Sequence, residues 1–205
     1  MSIEISRAAE IESLALASRN GWPEDLRVLI AQHPREQWEI HTNLGEMARF
    51  WLSRHVMFRE LSVALGNVTT QFRAGLLRPA EFAQQFVPQL QFMLDQLNVH
   101  HQIEDLHYFP IFKAAEARLA LGFDVLERDH HHIHADMART AESANALLQA
   151  LRAGGDGLSR CSENYATVSA SLMNGLVRHL DDEEDLIVPL ILDRGEEELG
   201  VAHHL

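Results

Sequence analysis

The chain has 205 residues, 46% of them apolar, enough to bury a hydrophobic core without help from a disulfide. Lys and Arg number 17 against 30 Asp and Glu, a formal charge of −13, which argues against nucleic acid or an anionic membrane as a partner, since both call for a basic face. No apolar run reaches the length of a membrane span, the opening MSIEISRAAEIES lacks the basic and apolar regions of an export signal, and Cys161 is the single cysteine, so the expectation is a cytoplasmic protein in a reducing compartment.

Residues 1–42 read as an N-terminal helical extension, with a short helix expected from Pro23 to about Ala31. Helical periodicity takes over near residue 43, where Asn43 and Glu46 have capping-box spacing. Leu44, Met47, Trp51, His55, Phe58, Ser62 and Leu65 then recur at steps of three or four, predicting a first long helix over 43–66. The second, over 81–109, carries Phe86, Leu90, Met93, Leu97, His100, Glu104 and His107 on one stripe and meets a breaker at Pro110. A shorter helical piece follows over 111–120. The third long helix is expected from about Asp124 to the Gly154-Gly155 pair, and the fourth over 157–187, closed by Pro189. Nothing reads as a strand. The fold class is therefore all-α, an antiparallel four-helix bundle over 43–195 with a C-terminal tail over 196–205.

The 13 histidines are clustered, and several fall where the helical stripes demand core residues. His55, His100, Glu104, His130, His179 and Glu183 all interrupt apolar stripes. An unpaired buried carboxylate costs several kcal/mol or shifts its pKa upward. A pair of divalent ions removes that cost, because carboxylates stay ionised and imidazoles stay neutral as ligands. His100 and Glu104, His130 and His134, and His179 and Glu183 are each one helical turn apart, so each pair offers two donors on one face. Nitrogen and oxygen donors without thiolate suit Fe or Mn, with Zn also admissible. The segment HHQIEDLHYFPIF at 100–112 repeats as HLDDEEDLIVPLI at 179–191, with an offset of 79. That repeat suggests two helical hairpins related by a pseudo-twofold axis.

Other residues read more plainly. His101, His131 and His132 point to other faces and are expected in solvent or behind the ligands. His107 stands one turn past Glu104, either behind a ligand or as a core histidine. Asp181, Asp182, Glu184 and Asp185 read as a solvated charge run, with room for one of them as a partner of a ligand imidazole. Cys161 is too far from His179 to ligate, and His33 and His41 are not expected as ligands.

The segments RHVMFRE, HHQIEDLHYFP, ERDHHHIH and RHLDDEEDLIVP, in that order over about 54–189, resemble the hemerythrin and HHE cation-binding family. The resemblance implies ligands His55, His100, Glu104, His130, His134, His179 and Glu183. It also implies two irons bridged by two carboxylates and an oxygen, with O2 or NO binding at an open position. The blood-pigment members are shorter and end in a His-x4-Asp pair, where this chain has His-x3-Glu. That places it nearer the bacterial HHE proteins, some implicated in repair of damaged iron centres and in nitric-oxide stress. The leading expectation is thus a di-iron protein that binds or senses O2, NO or peroxide. Iron-centre repair, NO or peroxide reduction, or metal buffering at the same site are the alternatives, and a homo-oligomer is left open.

Overall fold

The computed structural model describes residues 2–155 and 157–202. Every regular element among them is helical: α1 (Ser2–Ser13), α2 (Val28–Gln32), α3 (Glu46–Arg73), α4 (Pro79–Ile103), α5 (Phe109–Ala115), α6 (Ala120–Ala153), α7 (Gly157–Arg194) and α8 (Glu196–Leu199). Short 3₁₀ turns lie at Glu24–Leu26, Arg35–Ile40 and Ala117–Leu119, and a π-helical turn at Glu104–Tyr108 joins α4 to α5. The chain is an all-α helical bundle whose long members are α3, α4, α6 and α7. No described helix is long and apolar enough to cross a membrane.

Two compact units divide the chain, and the division falls within the long helices. The first comprises 1–55, 101–130 and 178–205. Its core joins Trp22, Trp38 and Trp51 to Phe109, Phe112 and Phe123 and to the Leu186–Leu192 stretch of α7. The second comprises 56–100 and 131–177. There α3 reverses into α4, stacking Phe72 on Phe82 with ring centroids 4.3 Å apart. Phe82, Phe86 and Tyr165 extend that aromatic row inward.

Several boundaries differ from the sequence reading. α3 continues to Arg73 rather than stopping at Gly66, because Val68 and Thr69 are buried on the same stripe. α6 begins at Ala120, before Asp124. α7 passes through Pro189 to Arg194. A helix-interior proline costs about 3 kcal/mol, but Leu186, Ile187, Val188, Leu190, Ile191 and Leu192 are all buried around it, and each such side chain contributes roughly 1.5–3 kcal/mol.

The start of α3 is also capped from elsewhere. Asn43 Nδ2 donates to the Leu192 carbonyl instead of serving a capping box. Glu196, just past α7, accepts from the backbone N–H groups of Met47 and Ala48. A Cβ at Gly45 would overlap the Glu196 carboxylate, so glycine there is what lets the cap approach. The tail expected over 196–205 thus includes a helix and a cap, while residues 203–205 lie outside the described residues.

Candidate metal centre

Buried donors converge in two groups. His101, His130 and His179 each offer a ring nitrogen within 4.8 Å of the others; so do His55, His100, Glu104 and Glu183 with one atom apiece. All seven side chains are buried. Six of them belong to the first unit, and His100 is the last residue of the second unit's first segment. The Nε2 atoms of His130 and His179 are 3.1 Å apart and aim at common space.

The carboxylates tie the groups together. Glu183 Oε2 lies 3.5 Å from His55 Nε2 and 3.6 Å from His179 Nε2, one imidazole of each group. Glu104 Oε2 lies 3.7 Å from His130 Nε2, while its other oxygen accepts the Trp51 indole N–H at 2.7 Å. Each glutamate therefore faces both groups, as a bridging ligand must.

The local fold explains how adjacent histidines serve different groups. Successive residues of an α-helix are ~100° apart around the axis. His100 lies against Phe58 of α3, with centroids 5.2 Å apart. His101 turns the other way and stacks on His130 of α6 at 3.9 Å. The π turn begins at Glu104, and Phe109 N–H donates to the Glu104 carbonyl, five residues back. Such turns concentrate at functional sites. This one rotates the register beyond Glu104, so His107 is exposed rather than on the inner stripe. It also delivers Pro110, which has no N–H to place, to the first turn of α5.

A ring of carboxylates stands behind the imidazoles. His55 Nδ1 pairs with Glu184 Oε1 at 3.0 Å, and His130 Nδ1 with Asp105 Oδ1 at 2.7 Å. His179 Nδ1 faces Asp129 Oδ2 at 3.6 Å. Such partners fix the tautomer and direct the other nitrogen toward a metal. Asp105 and Glu184 are themselves separated by the repeat offset of 79, so the duplication extends to the groups behind the ligands. Glu184 is the one acid of that run that partners an imidazole, and the burial of Asp182 corrects its reading as solvated.

The electrostatics are those of a site built for cations. Burial pushes Glu104 up to about 8, against the lowering effect of the Trp51 hydrogen bond. Burial and then the charge of Glu104 push Glu183 well above the ordinary carboxylate range. Burial holds His130 down near 4, opposed by Asp105, and holds His179 down as well. Among the described residues neither Glu183 oxygen accepts from an imidazole, an indole or the backbone, and its hydrogen-bonding neighbour is the Glu104 carboxyl. Two buried carboxylates that face each other and neutral imidazoles are relieved by a bound metal cation. The donor set fits two first-row ions of the Fe or Mn type, with Zn also admissible.

Of the residues singled out in the sequence, His55, His100, Glu104, His130, His179 and Glu183 come together. His134 is half-buried and lies outside both groups. His101 stands in the first group with His130 and His179, contrary to the expectation that it lies in solvent or behind the ligands. The repeat hides it, since its counterpart at the same offset is Leu180; the doublet His100-His101 is the only signal. His131 and His132 are exposed, as expected.

No curated protein and no solved structure matches the chain. A family model does: the hemerythrin HHE cation-binding domain matches residues 46–191, which include every member of both donor groups. The chain belongs to the hemerythrin HHE cation-binding family.

Proposed function

We propose that the protein is a non-haem di-iron protein that binds or senses O2, NO or peroxide at a carboxylate-bridged pair of metals. The observation that carries this reading is the position of Glu104 and Glu183, each within reach of imidazoles from both donor groups. In this reading His101, His130 and His179 hold one ion, His55 and His100 hold the other, and the two glutamates bridge. His55 and His100 would give their ion one imidazole fewer than His101, His130 and His179 would give the other. Two ferrous ions supply the electrons and the open coordination position that such small ligands need.

The chain's own residues do the rest. Trp51 fixes one oxygen of Glu104 and packs on His55 at a centroid distance of 4.0 Å. Glu184 and Asp105 orient two imidazoles through hydrogen bonds, and Asp129 faces a third at 3.6 Å. Phe58 and Phe109, both fully buried and in ring contact with His100 and His130, help to exclude bulk water. Iron-loaded protein is expected to contain two irons per chain and to show a near-UV and visible band that appears with O2 and disappears on its removal. Net iron loss or turnover under NO would favour repair or reduction instead. A colourless, zinc-filled protein indifferent to all three ligands would refute the reading.

A further inference from the structure

Two arginines that reach the carboxylates behind the imidazoles come from residues 1–42, ahead of the family match at 46–191. Arg19 is fully buried and pairs with Asp129 at 2.5 Å, the carboxylate that faces His179. It also pairs with Asp182 at 2.8 Å. Arg35 pairs with Glu184 at 2.8 Å, the carboxylate that holds His55. It also reaches Asp185 and the Asp181 carbonyl.

The two arginines are set in the same way. Each is followed three residues later by a buried tryptophan, Trp22 or Trp38, on whose ring its guanidinium lies, at 4.7 and 4.8 Å. Trp22 Nε1 donates to the Asp182 carbonyl and Trp38 Nε1 to the His33 carbonyl, so both rings are pinned. Arg-x-x-Trp therefore occurs twice in the extension, once for each donor group.

We propose that the N-terminal extension supplies one positioning arginine to each metal, Arg19 through Asp129 to His179 and Arg35 through Glu184 to His55, and so sets how firmly each ion is retained. This rests on the two-metal reading above. A guanidinium fork fixes a carboxylate in position as well as charge. The carboxylate in turn fixes its imidazole, and removing such a partner weakens metal affinity by about 10–100-fold. The effect is site-specific: Arg19 acts on the ion of His101, His130 and His179, and Arg35 on that of His55 and His100.

The test uses full-length protein loaded anaerobically with ferrous iron, in wild-type, Arg19→Lys and Arg35→Gln forms. Iron release to a ferrous chelator is timed, and the occupancy of each site is read by anomalous scattering from partly depleted crystals. Melting of the metal-free proteins reports any general loss of stability. Arg19→Lys is expected to lose the His179-side ion roughly tenfold faster with the other ion unchanged, and Arg35→Gln the reverse. Two ions in the wild type, with variants that lose both in step or at wild-type rates, would overturn the pairing alone. A wild type that never holds two ions would overturn the di-iron reading and the pairing with it. Arg35 is partly exposed, so Arg35→Gln decides the matter by itself if Arg19→Lys does not fold.

Discussion

Glu104→Gln is expected to stabilise the metal-free protein at pH 8 while abolishing the binding of both metals. Burial raises the Glu104 carboxyl from 4.5 to about 8. A carboxyl whose folded pKa is raised holds its proton more tightly folded than unfolded. Its contribution to stability is full below the unfolded value and is lost as pH rises through the folded one. His130 runs the other way: held near 4 against an ordinary 6.5, it makes the fold more stable as pH rises between those values. Above pH 6.5 only the tail of the histidine change remains and the loss from the glutamates dominates. From pH 6.5 to 8, at roughly 1.4 kcal/mol per pH unit, Glu104 costs the metal-free protein about 2 kcal/mol. Glu183, also raised, adds to that loss. Glutamine keeps the shape and the acceptor for Trp51 but carries no charge, and it relieves Glu183 of a like-charged neighbour. Urea denaturation in the presence of a chelator at the two pH values measures the difference. Wild-type stability that is flat or rising over this window, or a variant less stable than wild type at pH 8, would refute the reasoning.

Three further outcomes follow from the same geometry. His101→Ala is expected to lower the retained iron toward one per chain, whereas His134→Ala keeps two; metal analysis after gel filtration separates them. Glu196→Ala removes the acceptor for two α3 backbone N–H groups and is expected to cost about 1–2 kcal/mol, measured by thermal melting. Gly45→Ala pushes the same carboxylate away, so in the Glu196→Ala background it is expected to add much less destabilisation than in the wild type, a double-mutant cycle with clear coupling.

The fold was legible because its helices are long and amphipathic, and six donors stood out because each breaks an apolar stripe. What the sequence concealed was set by contacts distant along the chain. Pro189 reads as a stop, and only the burial of the residues around it carries α7 onward. Asn43 has the spacing of a cap, but Glu196 takes that role from the far end of the chain. Regular α-helical spacing puts His107 on the inner stripe, and the π turn at Glu104–Tyr108 rotates it out to solvent. His101 escaped notice because its counterpart in the repeat is Leu180, and because neighbours on one helix can line a site only when partners stand on both sides of it. Arg19 and Arg35 look like ordinary surface cations until Asp129 and Glu184 are seen beside them.

The central claim is that one chain holds two metals between these donors. A crystal of iron-loaded protein, with anomalous data at the iron edge, tests it most directly. Two peaks about 3–4 Å apart are expected, the separation of paired catalytic metals. Imidazoles of His101, His130 and His179 should lie on one peak and those of His55 and His100 on the other, with Glu104 and Glu183 touching both. A single peak, two peaks away from the glutamates, or a His134 nitrogen in the place assigned to His101 would contradict it.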